Sequence, residues 1–391
     1  MRITIAHGFF LPVPPASGGA MEKMWWTLAR DFSARGHEVV SFSRRWPGWP
    51  DDELREGVRC IRRPGFSHTR SLPLNLVLDG LWGLRALRHL PRADILVTNT
   101  VLLPALASRL RPEAGRVVVS LNRMPKGQLR AYGPVHRLQV PSTAVAVAAR
   151  SSAPDLADRI KIFPNVIDHA ALLSAAAQSR ATRAALTVEA RPLRIGYIGR
   201  LHPEKGLRLL ISAALQLAAR ADLPPWTLSL RGPLDVPRGG GGEAFGAELR
   251  ALASPLLATG KLEFLPAEFC SSALASAYAA LDIFAYPSLA ERGETFGVSV
   301  AEAMAAGAVP VVSDLPCFTD LVEDGVNGLV FPRAASEPVA ALANRLADLL
   351  KDSSRRAQAA SAAQAASARC AAATVAAAML ADFNSLIPTR P

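Results

Sequence analysis

Two glutamates of this 391-residue chain, Glu294 and Glu302, lie eight positions apart in a stretch whose residue types suit an anionic ligand. The residues at the expected start of the helix between them are Thr295, Phe296, Gly297 and Val298. Free amides and the positive dipole end of a helix N-terminus favour anions. Glu294 can reach a ligand over the preceding loop, and Glu302 points off the helix flank. Taken alone, the two carboxylates are equally consistent with an acidic first turn that stabilises the helix.

Two strands and the helix between them position these glutamates. The mostly apolar run 281–285 predicts a buried strand, and residues 287–293 predict the polar loop after it. The helix is expected to end at Gly307, where glycine suits a left-handed cap, and the run 308–312 predicts a second buried strand. Strand, helix and strand within about 30 residues form a right-handed parallel βαβ unit, which binds ligands beyond the carboxyl ends of its strands.

A basic loop upstream is a second candidate site. The run 193–198 predicts a strand that ends at Gly199, and Arg200 and Lys205 lie in the loop that leads into the next helix. Arginine offers a planar fork of N–H donors and lysine a mobile point charge, and both suit an anionic group. As an isolated pair, the two residues are also consistent with a solvent-exposed loop.

The motifs around these residues resemble those of a known family. The spacing of Glu294 and Glu302, with T-F-G between them and E-A-M-A-A-G from the second, resembles the E-x7-E signature of retaining glycosyltransferases of the family 4 type, the glycosyl transferases group 1. The loop G-R-L-H-P-E-K-G resembles the family's G-R-L-x-x-x-K-G, in which an arginine and a lysine grip the diphosphate of a nucleotide sugar. The resemblance covers most of the chain and is strongest over residues 193–332.

The resemblance implies an α/β fold of GT-B architecture, with two Rossmann-like doubly wound domains facing each other across a cleft. The alternation of predicted strands and helices agrees with this class. We expect an N-terminal, acceptor-side domain over residues 1–190 and a C-terminal, nucleotide-sugar donor domain over residues 191–370. The last helix, over about residues 371–391, is expected to pack back on the first domain.

The resemblance also implies retaining transfer of a sugar from a nucleotide-diphosphate sugar to a glycan or lipid-linked acceptor, in bacterial surface polysaccharide or glycolipid synthesis. It implies catalytic roles for Arg200, Lys205 and Glu294, with Glu294 on the sugar and Glu302 on the ribose hydroxyls. Cations beside the diphosphate can stabilise the leaving group, so no metal and no cofactor are expected. The other donor-binding residues implied are Gly18 and Gly19 before the first helix, Gly232 and Leu265 near the base, and Thr295, Phe296, Gly297 and Val298.

The acceptor side departs from the family pattern. Many relatives carry a histidine at the end of a later strand of the first domain, where this chain has Asn99 and Asn122. The role of that histidine can be lost, be filled by an asparagine amide, or fall to His7. Arg123 and Lys126 follow in a basic loop that suits a phosphate or an acidic acceptor, or that is simply solvated.

Composition limits the class of protein. Half of the residues are hydrophobic, enough for two cores, and neither a run of 18 apolar residues nor a signal peptide is evident, so we expect a cytoplasmic protein. The cysteines are far apart and form no C-x-x-C pair, which argues against zinc sites, clusters and a disulfide framework. They are Cys60, Cys270, Cys317 and Cys370.

Charge is unevenly distributed. Residues 1–150 hold 22 basic against 10 acidic side chains, whereas residues 201–350 hold 10 against 17. A basic half can attract an anionic membrane or a phosphorylated substrate, although 38 of the 44 basic residues are arginine, which also fits a compositional bias. No nucleic-acid-binding motif is present, so nucleic acid is not an expected partner. The candidates for peripheral contact with the inner face of the cytoplasmic membrane are Arg62, Arg63, Arg85, Arg88, Arg123, Lys126 and Arg130.

Other functional classes stay open at this point. A nucleotide-sugar epimerase or hydrolase of the same fold would share the donor site, and a binding protein with weakened catalysis would explain the asparagines. A dehydrogenase is the weakest alternative, because residues 239–244 fit G-x-G-x-x-A without a strand leading into them.

Overall fold

The computed structural model describes residues 1–15, 19–67, 69–185 and 191–387 of the chain. The chain forms two compact units. The first comprises Met1–Val166 together with Ala372–Pro391, and the second comprises Ile167–Ala371. Within the described ranges, no helix combines the length and the apolar character needed to cross a membrane.

Strands and helices alternate along both units. The first unit begins with β1 (Arg2–Ala6), α1 (Ala20–Ala34), β2 (Glu38–Arg44), β3 (Asp52–Arg55), β4 (Val58–Arg63), α2 (Leu72–His89), β5 (Ile95–Thr98), α3 (Leu103–Leu110), β6 (Arg116–Ser120), β7 (Arg137–Val140), α4 (Thr143–Ser152) and β8 (Ile160–Ile162). The second contains α5 (His169–Ala185), β9 (Leu193–Ile198), α6 (Leu207–Ala218), β10 (Trp226–Arg231), α7 (Gly242–Leu252), α8 (Ser254–Ala258), β11 (Leu262–Leu265), α9 (Ser271–Ala279), β12 (Ile283–Tyr286), α10 (Val298–Ala305), β13 (Val309–Ser313), β14 (Leu329–Phe331), α11 (Pro338–Lys351) and α12 (Ser353–Ser367). Helix α13 (Ala372–Leu386) follows and belongs to the first unit.

The sheet of the first unit has the strand order β3-β4-β2-β1-β5-β6-β7-β8. It is parallel except for β3, which pairs antiparallel with β4. Its central strands are short apolar runs buried on both faces, as parallel strands between two layers of helices must be. The strand order reverses between β1 and β5, the point where open α/β sheets bind ligands. His7 follows β1 and Asn99 follows β5 at that edge.

The sheet of the second unit has the strand order β11-β10-β9-β12-β13-β14, and all its strand pairs are parallel. Its order reverses between β9 and β12. Arg200 lies in the loop after β9 and Glu294 in the loop after β12, so the switch point brings the two predicted motifs to one edge. The expected α/β class with two Rossmann-like domains is confirmed.

Helices cover both faces of the first sheet. One hydrophobic core lies under α1 and α13, and the other lies under α2, α3 and α4. The rings of Phe32 in α1 and Phe383 in α13 meet edge to face with centroids 6.0 Å apart. The Arg137 Nε donates a 2.9 Å hydrogen bond to Asp382. The C-terminal helix is therefore built into the core of the first unit.

Helix α5 belongs to the second unit, although the boundary expected at residue 190 assigns it to the first domain. Leu172 and Ala176 are buried, and the Ser179 hydroxyl donates a 2.9 Å hydrogen bond to the Ala279 carbonyl at the end of α9. The division between the units accordingly lies at Val166 and Ile167. The sequence of α5 is rich in alanine and weakly patterned, so nothing local in it indicates which neighbour it covers.

Candidate active site

The loop after β9 carries the first half of the site. It passes through Arg200 to a single 3-10 turn, Pro203–Lys205, and then to Gly206, the left-handed N-cap of α6 with a φ of 70°. A Cβ atom on Gly206 would lie 2.0 Å from the Pro287 carbonyl oxygen in the loop after β12. Glycine is required here because it lets the two loops touch.

Lys205 and Glu294 form a buried ion pair at the point where these loops meet. The Lys205 Nζ lies 2.6 Å from Glu294 Oε2, and the two residues are only 5% and 9% exposed. The same carboxylate oxygen accepts hydrogen bonds from the Tyr286 hydroxyl at 3.2 Å and the Ser288 hydroxyl at 3.1 Å. Three donors thus fix the carboxylate in place. Sequence motifs 89 positions apart predicted both charged partners, but not the tyrosine or the serine.

Stacked aromatic rings pack beside this ion pair. The Tyr286 ring stacks on Tyr197 at 5.6 Å and on Phe284 at 5.8 Å, and Lys205 Nζ lies 5.5 Å from its centroid. Burial, followed by the nearby negative charge of Glu294, raises the pKa of the Tyr286 hydroxyl well above its usual value. The phenol therefore stays protonated and donates to the carboxylate at every physiological pH. A Tyr at the end of a predicted buried strand was the only sequence signal for this role.

Arg200 lies on the same loop, half exposed. Its guanidinium donates to Glu204 Oε1 at 2.6 Å and to the Gly239 carbonyl at 2.7 Å. Arginine has five N–H donors, so these two bonds leave others for a ligand. Glu204 offsets the positive charge of Arg200 and would compete with an anion for its guanidinium.

Glu302 lies half-buried on α10 and is fixed by α9. The Tyr278 hydroxyl donates a 2.9 Å hydrogen bond to its Oε2. Burial and then the charge of Glu302 raise the pKa of Tyr278 well above its usual value, so the phenol remains a donor. Sequence reasoning placed Glu302 correctly on the helix and missed Tyr278, which comes from an element 24 positions earlier.

At the start of α10, backbone amides more than side chains are the groups available to a ligand. Gly297 is the N-cap, with a left-handed φ of 94°, and among the described residues no side chain caps the helix. The first amides of α10 are thus suited to an anionic group. Phe296 is fully buried, so any contact with a ligand must come from its backbone, while Thr295 and Val298 are half-buried.

A cavity of about 280 Å³ adjoins these loops and is lined by the two residues expected near the base, Gly232 and Leu265. Its other lining residues are Leu201, Leu234, Glu243, Gly246, Leu249, Arg250, Phe264 and Pro266. A Cβ atom on Gly232 would lie 1.8 Å from the Gly199 carbonyl oxygen, so glycine again permits close loop contact. The cavity combines apolar walls with one acidic and one basic side chain, which suits a heteroaromatic ring with polar edges.

The first unit gives a mixed result for the acceptor-side candidates. His7 is buried; its Nε2 lies 3.2 Å from the Ser41 hydroxyl and its carbonyl accepts from the Trp82 indole at 2.9 Å. Burial lowers the pKa of His7 to about 3, so it is a neutral, buried residue, and its contact with the sugar stays a prediction. Asn122 is half-buried and donates to the Ser120 hydroxyl at 2.7 Å.

Asn99 and the basic loop stay candidates for a ligand contact. The Asn99 Oδ1 atom is buried and finds no hydrogen-bond partner among the described residues. Arg123 and Lys126 are exposed. Near Arg123 lies Glu22, a buried carboxylate that sequence reasoning missed; burial raises its pKa, and the charge of Arg123 partly opposes this. A lone glutamate in the first turn of a helix gave no signal of its own.

Two further predicted residues concern the glycine pair before α1. Gly18 lies outside the described residues. Gly19 is the N-cap of α1 with a φ of 94°, and a Cβ atom there would lie 2.3 Å from Glu22 Oε2. The close approach of backbone and carboxylate explains why glycine stands at this position.

The basic residues proposed for a membrane surface differ in their exposure to solvent. Arg62 is fully buried and donates a 2.6 Å hydrogen bond to Glu53, so its assignment to the surface is wrong: the inward face of β4 carries it. Arg63 pairs with Asp52 at 3.3 Å, and Arg85 is half-buried. The exposed members of the set are Arg88, Arg123, Lys126 and Arg130.

A comparison with known proteins finds glycosyltransferases among the proteins that this chain resembles. The family model described as "Glycosyl transferases group 1" matches residues 178–366. A GDP-mannose-dependent alpha-mannosyltransferase of Mycolicibacterium smegmatis is 28% identical over 359 residues, which cover 83% of this chain and 84% of that protein. A phosphatidyl-myo-inositol mannosyltransferase of the same species is 33% identical over 162 residues, 41% of this chain and 37% of that protein.

Solved structures show the same fold over nearly the whole chain. Sucrose-phosphate synthase from Thermosynechococcus elongatus aligns with a TM-score of 0.73 and 19% identity, covering 98% of both chains. HepE from Anabaena, in complex with UDP, aligns with a TM-score of 0.71 and 22% identity, covering 98% of this chain and all of that one. At these identities the likeness concerns the fold.

Proposed function

We propose that this chain transfers a hexosyl group from a nucleotide-diphosphate sugar to a glycan or lipid-linked acceptor, as a GT-B glycosyltransferase whose residues 178–366 match the model of the glycosyl transferases group 1 family. The observation that carries this proposal is the buried contact of Lys205 with Glu294 at 2.6 Å. It joins the two predicted motifs at the switch point of the second sheet, where a ligand of such a sheet binds.

The proposed chemistry uses the charges of this edge. When the bond between the anomeric carbon and the diphosphate oxygen breaks, negative charge grows on the leaving nucleoside diphosphate. Lys205, Arg200 and the first amides of α10 can stabilise that charge, because preorganised donors in a buried site need no reorganisation. Glu294, held by Tyr286 and Ser288, is assigned to the sugar. We propose that transfer retains the anomeric configuration and needs neither a metal nor a cofactor.

The nucleoside is assigned to the neighbouring residues. Glu302, fixed by Tyr278, can accept hydrogen bonds from two ribose hydroxyls, because an ionised carboxylate has two acceptor oxygens. The cavity beside Gly232 and Leu265 suits the base.

The relatives support a choice of substrates to test first. The likeness to a GDP-mannose-dependent alpha-mannosyltransferase extends over 83% of this chain and supports a mannosyl donor. The relatives named for phosphatidyl-myo-inositol and for D-inositol 3-phosphate support an acceptor with a polyol or phosphorylated head. These names do not favour an epimerase, a hydrolase or a binding protein. A dehydrogenase is opposed by the geometry, since Gly239 follows the single turn Val236–Arg238 and not a strand.

A peripheral position on an anionic membrane is part of the proposal. Near an acidic leaflet each Lys or Arg contributes about 1 kcal/mol, so the four exposed candidates Arg88, Arg123, Lys126 and Arg130 would support reversible attachment. The cytoplasmic location expected from the sequence is proposed with it, at the inner face of the membrane.

A thermal-shift screen against nucleoside diphosphates and their sugars tests the donor assignment. A ligand bound only to the folded state at a hundredfold excess over its Kd adds about 2.7 kcal/mol of stability, so the true donor and its diphosphate product should stand out. Arg200→Ala should weaken nucleotide affinity roughly tenfold or more and so lower the added stability to about half, whereas Arg194→Ala, an exposed arginine at the far end of β9, should leave it unchanged. A response to no nucleotide, or an equal response of both variants, would overturn the assignment.

A further inference from the structure

The outward face of helix α2 is apolar. Its exposed large hydrophobic residues are Leu72, Leu74, Leu76, Val77, Leu81 and Leu84. Positions 74, 77, 81 and 84 follow one another at intervals of three and four, the spacing that places side chains on one face of a helix. Single exposed leucines are ordinary, but a contiguous apolar stripe marks a surface that contacts another body.

The opposite face of α2 holds the helix firmly on the sheet. Trp82 is fully buried and donates its indole N–H to the His7 carbonyl at 2.9 Å. Asp79 is also buried, and its carboxylate accepts the amides of Val101 at 3.1 Å and Leu102 at 2.9 Å. The exposed stripe is therefore a second apolar face of a helix whose core face is already packed.

Basic side chains border the stripe, and acidic ones are missing from it. Arg88 is exposed four positions after Leu84, where the stripe would continue, and Arg70 is exposed just before the helix. The only acidic residue of α2, all of whose residues are described, is the buried Asp79. Apolar side chains flanked by arginines match a bilayer with anionic headgroups, since arginine heads can lie at the phosphates while leucines enter the acyl region.

We propose that α2 docks the first unit on an anionic bilayer, with its apolar stripe inserted at the level of the headgroups and upper acyl chains. The inference deepens the proposed function and rests on it, because it names the surface through which the membrane contact is made. A second copy of the chain fits less well. It would bring two equal sets of arginines together without any acid on this face to offset them.

A vesicle-binding assay with matched variants tests this proposal. The test variant is Val77→Ser with Leu81→Ser, whose native side chains are 58% and 48% exposed. The control is Val236→Ser with Leu54→Ser, which removes the same two side-chain types from places where they are 67% and 76% exposed. Removing two inserted side chains should lower the partition coefficient onto phosphatidylserine-containing vesicles by at least about tenfold, and the control should stay within about twofold of the unsubstituted protein.

Salt separates insertion from simple charge attraction. Electrostatic attraction is screened within about 8 Å at physiological ionic strength, so raising salt should weaken binding of the unsubstituted protein and leave a residual apolar part. That residual part should be smaller in the test variant. Leu84→Ser alone is a milder second variant, expected to lose about threefold, and circular dichroism checks that each variant is folded.

Three results would overturn the proposal. The first is equal vesicle binding by the test variant and the unsubstituted protein, and the second is no binding to anionic vesicles at low salt. The third is a lipid-free dimer of the unsubstituted protein that the test variant abolishes, which would assign the stripe to a second copy. The vesicles contain no sugar donor, and the test variant should keep its thermal shift with nucleotides, so a failure here is distinct from a failure of the donor assignment.

Discussion

Replacing Lys205 with methionine should destabilise the second unit by about 3 kcal/mol, the lower end of the range for breaking a buried ion pair. The loss is large because Glu294, only 9% exposed, is left as a buried charge without its cation. It stays at the lower end because Tyr286 and Ser288 still donate to the carboxylate at 3.2 and 3.1 Å. Neutralising the carboxylate as well, with Glu294→Gln, should recover about 2 kcal/mol of the summed single losses.

Differential scanning calorimetry can follow this loss as a fall in Tm. For a unit of about 200 residues, 1 kcal/mol corresponds to about 2 to 4 °C in Tm, so Lys205→Met should lower the second unit's Tm by about 6 to 12 °C. The matched control is Lys351→Met, which breaks an ion pair with Asp222 whose side chains are about half exposed. That change should move the Tm by less than about 2 °C.

Two results would refute the electrostatic coupling of Lys205 and Glu294. If Lys205→Met lowers the Tm no more than Lys351→Met does, the buried pair contributes little to stability. If the losses from Lys205→Met and Glu294→Gln simply add in the double variant, the two groups are not coupled, and the reasoning from their 2.6 Å contact is refuted.

The burial of His7, the roles of the two glutamates and the close loop contact at Gly206 can each be tested. Burial lowers the pKa of His7 to about 3, whereas the pKa of an unfolded histidine is roughly 6.5. Between these two pH values the unfolded state binds more protons than the folded state, so stability should fall by about 1.4 kcal/mol per pH unit below pH 6.5. In a pH series of melting curves, His7→Gln should flatten this slope. Glu302→Gln should weaken binding of the bare nucleoside diphosphate, whereas Glu294→Gln should chiefly lower turnover. Equal affinities of the two variants for the nucleoside diphosphate, measured by titration calorimetry, would contradict this division of roles. Gly206→Ala should lower the Tm and the nucleotide affinity more than Gly36→Ala does. Both glycines have positive φ (70° and 83°), but only at Gly206 would the new Cβ atom collide with backbone. Equal effects of the two changes would show that the positive φ alone matters.

The strands and loops that form the site could be predicted from the sequence because their signals are local. Short apolar runs mark β9, β12 and β13, and Gly206 and Gly297 mark the starts of α6 and α10. The charged partners Lys205 and Glu294 could be found because each lies in a recognisable motif. What the motifs could not reveal is that the two residues bind each other, since that contact depends on how two loops meet in the folded sheet.

The residues that sequence reasoning missed act through tertiary contacts. Nothing in the sequence distinguishes Tyr286 and Tyr278 from ordinary core aromatics, and their roles come from the contacts of their hydroxyls with Glu294 and Glu302. Arg62 looked like a surface residue because arginine rarely enters a core, yet its pairing with Glu53 at 2.6 Å makes burial tolerable. These outcomes depend on partners from distant parts of the chain, which local pattern and charge do not specify.

The central claim is tested most directly by measuring nucleoside diphosphate release from a sugar donor in the presence of acceptor. GDP-mannose with an inositol-containing lipid is the first pair to try, followed by the other donors that stabilise the protein. The unsubstituted protein should release the diphosphate only when acceptor is present, and Glu294→Gln should do so at least about a hundredfold more slowly while binding the free nucleotide normally. Equal release by the unsubstituted protein and Glu294→Gln, or no acceptor-dependent release from any donor that binds, would contradict the account.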